Sequence, residues 1–362
     1  MIPTIPIAQP QFGKEEEDAV LEVMRSGALA QGARVRDFEE AFASESGASF
    51  AVATSSGTSA LFLALLAHGV GHGDEVITTP LTFIATANAI AQTGARPIFA
   101  DIDSSLNLNP QKVEELITPR TKAILPVHLH GNPCDLPRFA MLARDYGLIL
   151  VQDACQAVGA TLCDQPLGAF GTAVYSLYAT KNITTGEGGM LTTNDPDVAK
   201  RAASLRHQAY STEPYLHDAI GYNFRMTEMQ AALGLAQLKK LPEINGRRRD
   251  TAAFYDRAIS HPDFDRPFIA PGAVHVYYQY TLRVRSNEIR SRDGVQSALD
   301  RAGIGNGVYY PVPLHLQPAY RGLKSAPCPE AERAAKEIFS IPVHPAVCDE
   351  DRQRIAETLN AL

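Results

Sequence analysis

Leu148-Ile149-Leu150-Val151-Gln152-Asp153-Ala154-Cys155-Gln156 is a short apolar run that stops on a carboxylate, and it reads as a buried strand. In an open parallel sheet, ligands settle beyond the carboxyl ends of the strands, which is where Asp153 falls. Taken alone, Asp153 could equally cap a helix or close a turn. Around this run, similar segments recur from about residue 50 to 193: Phe50 to Ala53, Glu75 to Thr78, Arg96 to Ala100, Lys122 to Val127, Leu148 to Gln152, Ala173 to Leu177 and Met190 to Thr192. Helical patterns alternate with them, several opened or closed by capping residues. Asn109-Pro110 precedes Gln111 to Ile117, and Asp135-Leu136-Pro137 opens a helix that Gly147 closes. Strands alternating with helices predict an α/β fold with a mainly parallel sheet.

Residues 14–26 and 34–46 read as two amphipathic helices that precede the sheet as an N-terminal arm. Met226 to Leu241 and Glu243 to Ile259 read as a pair of helices punctuated by Pro242, linking a large domain to a small one. Beyond the proline-rich link around Pro262 to Pro271, a strand (Val276 to Val284), a helix (Arg292 to Ala302), a strand (Asn306 to Tyr310) and two late helices predict a small α+β domain. The expected division is 1–245, arm and large domain, and 246–362, linker helix and small domain.

A chain of 362 residues has room for both domains, and 45% hydrophobic content is ordinary for a globular enzyme. No charged-then-apolar leader opens it, and no apolar run reaches the roughly 20 residues that span a bilayer, so a soluble cytoplasmic protein without a membrane partner is expected. Five scattered cysteines without a CxxC pair argue against a disulfide framework and a zinc site. A net charge of −7 with no basic stripe predicts no nucleic-acid partner. The only basic run, Arg247-Arg248-Arg249, fans around a helix axis and reads as a solvated face. His128 and His130, two residues apart on a strand and near Cys134, supply too few ligands for a metal.

Three features carry chemistry. Lys181 stands alone among hydroxyls and glycines in Ser176-Leu177-Tyr178-Ala179-Thr180-Lys181-Asn182-Ile183-Thr184-Thr185-Gly186-Glu187-Gly188-Gly189. A confined amine can lose its proton and form a Schiff base with a bound carbonyl. Ser55-Ser56-Gly57-Thr58-Ser59 leads straight into the apolar helix that begins at Ala60, so it is either an anion site for a phosphate or an ordinary capped helix. Beside such a site and a lone lysine, Asp153 gains a further meaning, since a carboxylate that keeps a pyridine nitrogen protonated turns the ring into an electron sink. Phe83 is suited to stacking on a planar ring or to plain core packing.

Gly57-Thr58-Ser59-Ala60-Leu61, Thr82-Phe83-Ile84-Ala85-Thr86, Asp153-Ala154-Cys155-Gln156-Ala157, Ser176 with Lys181, Thr184 to Gly189, Gly221-Tyr222-Asn223-Phe224-Arg225-Met226 and Tyr310-Pro311-Val312-Pro313-Leu314-His315-Leu316-Gln317 occur in an order that resembles the DegT/StrS family of sugar aminotransferases, over nearly the whole chain. The resemblance implies a fold type I pyridoxal phosphate enzyme, working as a homodimer with shared active sites. It implies that Lys181 bonds the pyridoxal 5'-phosphate, that Asp153 partners its ring nitrogen, that Gln156 meets its ring hydroxyl and that Phe83 stacks on it. Gly57, Thr58, Ser59 and Ser176 match phosphate contacts of one subunit, and Asn223 matches the one supplied by the other. Glutamate is the implied amino donor, with pyridoxamine 5'-phosphate as the intermediate cofactor form and a nucleotide-linked keto sugar as acceptor. Members with histidine in place of the lysine resemble dehydratases, so Lys181 points to amino transfer. A sugar dehydratase and a non-catalytic cofactor-binding regulator are the alternatives, and the presence of Lys181, Asp153 and Gln156 counts against both. Tyr309, Tyr310 and His315 lie where family members approach their substrate, in a form similar to members acting on C3 ketones; a packed proline-rich loop would also account for them.

Overall fold

A computed structural model describes residues 4–211, 213, 215–285, 291–323 and 325–362. Its strands are β1 (Phe50–Thr54), β2 (Glu75–Thr78), β3 (Arg96–Phe99), β4 (Thr121–Leu125), β5 (Ile149–Asp153), β6 (Thr161–Leu162), β7 (Gln165–Pro166), β8 (Thr172–Ser176), β9 (Gly189–Thr193), β10 (Phe264–Asp265), β11 (Ala273–Val274), β12 (Tyr280–Val284) and β13 (Ile338–Ile341). The helices used below are α1 (Lys14–Ser26), α2 (Ala33–Ser46), α3 (Gly57–Ala67), α4 (Ala85–Gln92), α5 (Pro110–Glu114), α6 (Leu136–Tyr146), α7 (Pro196–Arg206), α8 (Glu228–Ala258), α9 (Arg292–Arg301), α10 (Pro329–Glu337) and α11 (Asp349–Asn360). Asn109 and Asp135 cap α5 and α6 through their side chains, as their sequence positions predict.

All seven segments read as strands between residues 50 and 193 join one sheet in the order β1-β9-β8-β5-β4-β2-β3. Pairing is parallel from β8 through β3, whereas β9 runs antiparallel to both β8 and β1. Both faces are covered, so successive residues of one strand enter different cores. Val52, Val174 and Leu191 pack with α3 and α7, while their neighbours Ala53, Ala173, Tyr175 and Met190 pack with α2 and α8 on the opposite face. Helix α3 is apolar all round because it is enclosed: Leu61, Leu63 and Leu65 are fully buried between the sheet and further helices.

The second core lies under the sheet β10-β12-β13 and gathers Leu282, Phe339, Leu299 of α9 and Ile355 of α11. Three expectations change here. Pro242 does not split the helix, and α8 runs unbroken through it for 31 residues. An interior proline costs a helix about 3 kcal/mol. Burial of Leu238, Leu241, Ile244 and Asn245 on either side of it offsets that cost, while Pro242 itself faces solvent. The expected domain boundary at 245/246 therefore falls inside a continuous helix, whose first half joins the large core and whose Ala252 and Tyr255 join the second. Asn306 to Tyr310 is not a strand: only Gly307 makes a bridge, to Ser340. The strand that completes the sheet is β13, which follows α10 without a turn and has only four residues to announce it. Ile5 also packs into the second core, so the start of the arm crosses to the small lobe.

Tyr310, Leu314, Tyr320 and Cys328 pack on Leu81, Phe99 and Leu129, clamping the C-terminal segment onto the end of the main sheet. No helix among the described residues is long and apolar enough to cross a membrane.

Candidate active site

The carboxyl ends of β5 and β8 meet the start of α3. Ser56 caps the helix: its Oγ accepts from the Ser59 N–H at 3.1 Å, and the Ser59 Oγ accepts in return from the Ser56 N–H at 3.0 Å. The Ser59 hydroxyl, expected at a phosphate, is thus engaged in the cap. The first-turn N–H groups of Gly57 and Thr58 have no intrahelical acceptor. A Cβ on Gly57 would stand 2.9 Å from Cys155 Sγ and 2.9 Å from Ser176 Cβ, so only glycine lets the helix start seat itself on the two strand ends. Gly189 is as constrained, since a Cβ there would lie 2.3 Å from the Ser56 carbonyl oxygen. The glycines in this region therefore let the helix start pack directly on Ser176 and Cys155, with Gly189 against the Ser56 backbone.

Asp153 is buried at the end of β5 with both oxygens engaged. Thr86 Oγ1 donates to Oδ2 at 2.7 Å, and the Cys155 N–H donates to Oδ1 at 3.1 Å. These bonds fix the plane of the carboxylate. Gln156 is held just as firmly, accepting the His130 N–H at 2.8 Å and donating Nε2 to Tyr310 Oη at 2.9 Å. His130 occupies the left-handed region at φ 59°, and its ring lies nearly parallel to that of Tyr310, with centroids 6.1 Å apart and 16° between planes. Burial, reinforced by the positive charge of Lys181, pushes the His130 imidazole down to about 3, so it is neutral at physiological pH. His128 is structural. Its Nδ1 accepts the Cys134 N–H, which leaves Nε2 to donate to Gln152 Oε1 at 3.1 Å.

Lys181 sits in the turn after β8, and its Nζ lies 4.1 Å from the centroid of the Tyr278 ring. Its charge acts on both His130 and Cys155, whose N–H groups bond Gln156 and Asp153 respectively. The Tyr278 hydroxyl is 3.0 Å from Thr180 Oγ1, and Arg248 Nη1 donates to the carbonyls of Tyr277 and Tyr278. Arg248 corrects the reading of the arginine run as a solvated face. Arg247 is exposed and pairs with Glu243, whereas Arg248 is only 5% exposed, and burial without a carboxylate partner lowers its guanidinium to about 10.

Phe83 is 61% exposed and so is not core, leaving a large aromatic face open to a ligand. Tyr310 joins Gln156, and Tyr309 is 40% exposed beside it. His315 is placed differently: its Nε2 contacts Glu332 Oε1 at 3.2 Å and its ring faces Phe99, within the packing layer beneath the site. Asn223 is exposed, with its Oδ1 accepting from Arg225 Nε, in a segment held to β1 by the Ser55 N–H to Phe224 carbonyl bond. Thr86, Tyr278 and Arg248 received no role from the sequence.

The family model for the DegT/DnrJ/EryC1/StrS aminotransferases matches residues 10–360. The chain belongs to that family. Among similar proteins, this DegT-family chain is 38% identical to the GDP-perosamine synthase of Caulobacter vibrioides over 99% of its own length and 98% of that protein's. It is 37% identical to the UDP-N-acetyl-3-dehydro-alpha-D-glucosamine 3-aminotransferase of Acidithiobacillus ferrooxidans, over 93% of this chain and 90% of that one. The structure of S. venezuelae DesV in complex with a ketimine intermediate superposes with a TM-score of 0.92 at 38% identity, covering 96% of this chain and 94% of that one. The DegT-family chain is a pyridoxal phosphate-dependent aminotransferase. Its residues fit that cofactor: the first-turn N–H groups of a helix start suit a phosphate, a fixed carboxylate suits a pyridine nitrogen, and a lone amine suits the aldehyde.

Proposed function

We propose that this enzyme moves an amino group from glutamate to the C3 ketone of a nucleotide-linked sugar, yielding an amino sugar nucleotide, and that it works in the cytoplasm as a homodimer. The observation that carries this reading is the doubly held Asp153 at the end of β5 and the helix start at Gly57 packed on Cys155 and Ser176, with Lys181 in the turn that follows β8. Bound there, pyridoxal phosphate supplies an aldehyde that takes up amines and a ring that accepts the electron pair left when carbon loses a proton. Lys181 Nζ would hold the cofactor through its aldehyde and, once freed by the donor, would serve as the base that takes up the proton leaving the donor's α-carbon. Asp153 keeps a proton on the ring nitrogen. Gln156 orients the ring through its hydroxyl, and Phe83 covers one face. The Gly57, Thr58, Ser59 and Ser176 region receives the phosphate, with Asn223 of a second copy completing it.

The acceptor assignment is supported by relatives named for GDP- and UDP-linked sugars, and the C3 position by the relative named as a 3-aminotransferase. Tyr309 and Tyr310 are the proposed substrate contacts on this chain, with His315 of the same segment held beside Phe99 and Glu332. Borohydride reduction of the cofactor-loaded protein, followed by peptide mass spectrometry, should place the label on Lys181. Glutamate alone should then release 2-oxoglutarate, and UDP- and GDP-linked 3-keto and 4-keto sugars assayed side by side should show turnover with a 3-keto sugar. A label on another peptide would refute the role of Lys181, and exclusive use of 4-keto sugars would refute the C3 assignment.

A further inference from the structure

We propose that Asn245 of α8 is a positioning residue for Lys181, acting through Asn182 to fix the spacing between the lysine turn and the loop that follows β5. This role rests on the reading of Lys181 as the cofactor lysine. On that reading, Lys181 and the stretch from Asp153 to Gln156 serve one bound ring, yet they stand on separate loops, after β8 and after β5. A relay of two buried side-chain amides joins those loops. Asn182 Nδ2 donates to Asn245 Oδ1 at 2.7 Å and to the Val276 carbonyl at 2.9 Å, and Asn245 Nδ2 donates to the Val158 carbonyl at 3.0 Å. A backbone carbonyl can only accept, so Val276 and Val158 fix which end of each amide is nitrogen and give the relay one direction.

The residues on both sides of Lys181 are tied to one segment. Thr180 Oγ1 meets Tyr278 Oη at 3.0 Å while Asn182 reaches the Val276 carbonyl, so the lysine sits between two anchored neighbours. That segment is itself pinned: the Val276 and Gln279 N–H groups donate to the Gly131 and His130 carbonyls, and Arg248 Nη1 donates to those of Tyr277 and Tyr278. Bonds within the turn, from the Thr185 N–H to the Leu177 carbonyl and from the Leu177 N–H to the Gly188 carbonyl, fold it on itself without fixing where it sits. Asn245 supplies that fix. It is 3% exposed beside Leu241 and Ile244, which share the large core with Val158, Ile183 and Val276. The chain after Val158 comes close, since a Cβ on Gly159 would stand 2.7 Å from Asn245 Nδ2. Amides in such a layer give up water to enter it and add little net stability. What Asn245 contributes is a set distance between two loops.

The test breaks the relay, first in the cofactor-free protein. Hydrogen exchange read by mass spectrometry should quicken about 10-fold in Asn245→Ala for peptides covering residues 177–188 and 156–162, with β12 staying within about 2-fold of the parent. Asn182→Ala leaves the Asn245 to Val158 bond in place, so it should quicken 177–188 alone; it also carries the test if Asn245→Ala does not fold. Pyridoxal phosphate is then added at increasing concentration, and growth of its bond to Lys181 is followed by absorbance. The limiting rate should fall about 10- to 100-fold in either variant, because the amine is displaced. The half-saturating concentration should stay within about 2-fold, because the helix start at Gly57 is untouched. The double variant should be no more than about 2-fold slower than Asn245→Ala. Parent-like exchange or a parent-like limiting rate in the single variants, exchange raised equally across the chain, or effects that multiply in the double variant would each overturn the proposal. Borohydride labelling of the loaded parent is read separately: a label on another peptide removes Lys181 as the cofactor lysine, whereas a label on Lys181 with a parent-like limiting rate removes only the role of Asn245.

Discussion

Thr86→Val is the sharpest probe of how the site holds its carboxylate. The substitution keeps side-chain volume and β-branching at a buried position and deletes one hydroxyl, the donor that meets Asp153 Oδ2 at 2.7 Å. Hydrogen bonds to charged groups contribute roughly 1.5–3 kcal/mol, and in a buried pocket the abandoned oxygen has no water to replace the donor. Loss of about 2 kcal/mol is therefore expected in the stability of the cofactor-free protein, read by urea unfolding. The remaining bond, from the Cys155 N–H at 3.1 Å, lets the carboxylate rotate about its Cβ–Cγ axis. If orientation of Asp153 toward the ring nitrogen matters, the rate of the glutamate half-reaction should fall about 10- to 30-fold, the kinetic equivalent of the same free energy. A double-mutant cycle separates this from general damage. In Asp153→Asn the acceptor is neutral, so adding Thr86→Val should cost much less than it does in the parent, giving a coupling of about 1–2 kcal/mol in both stability and rate. Additive effects in the cycle would refute the idea that Thr86 acts through Asp153.

Phe83→Ala should weaken cofactor binding about 3- to 10-fold, as expected for loss of one stacking contact. Because the side chain is 61% exposed, unfolding of the cofactor-free protein should hardly change; a large stability loss would mark it as core. Gly57→Ala should cost roughly 1–3 kcal/mol and depress cofactor affinity, since its Cβ collides with Cys155 Sγ and Ser176 Cβ, and Cys155→Ala should restore part of the loss. Unaltered affinity would show that the helix start does not touch the cofactor. Burial pushes His128 down to about 4 and His130 and His275 to about 3, all below the unfolded value near 6.5. The unfolded chain then binds more protons than the native one between those values, so this stability is fully present above pH 6.5 and is lost as pH falls toward 4. Each histidine should contribute a slope approaching about 1.4 kcal/mol per pH unit at pH 5, and His128→Gln should remove one such increment in denaturation curves taken between pH 6.5 and 5. An unchanged slope in that variant would refute the assignment.

The main sheet is legible in the sequence because each of its strands has a local cause. A buried strand must be a short apolar run, and all seven runs between Phe50 and Thr193 pair as strands. The misreadings come where a long-range contact outweighs a local rule. Pro242 obeys its local chemistry, yet the helix goes on because the residues around it are buried against distant segments. β13 is a strand because Tyr280–Val284 offers it an edge to pair with, and nothing within its four residues announces that partner. Arg248 differs from Arg247 and Arg249 only in which direction a helix face points, which a run of three identical residues cannot reveal.

The same division runs through the site. Gly57, Asp153 and Lys181 are readable because each stands at a strand-to-helix or strand-to-turn junction, where the local sequence departs from what packing alone would select. What turns them into a working set is written across distance. Thr86 reaches Asp153 over 67 positions, Tyr310 reaches Gln156 over 154, and Tyr278 lies beneath Lys181 from the far lobe of the chain. Those partners are ordinary residues in ordinary local patterns, so they acquire meaning only once the fold has brought them near a reactive group. On the proposed assignment the reacting atoms are thus encoded locally, and their orientation is encoded in packing. A substitution at Thr86, Tyr278 or Arg248 should accordingly leave the chemistry possible while degrading its geometry, whereas one at Lys181 removes the chemistry itself: Lys181→Ala should abolish both the reducible cofactor bond and turnover, and residual turnover would show that a different amine carries the cofactor.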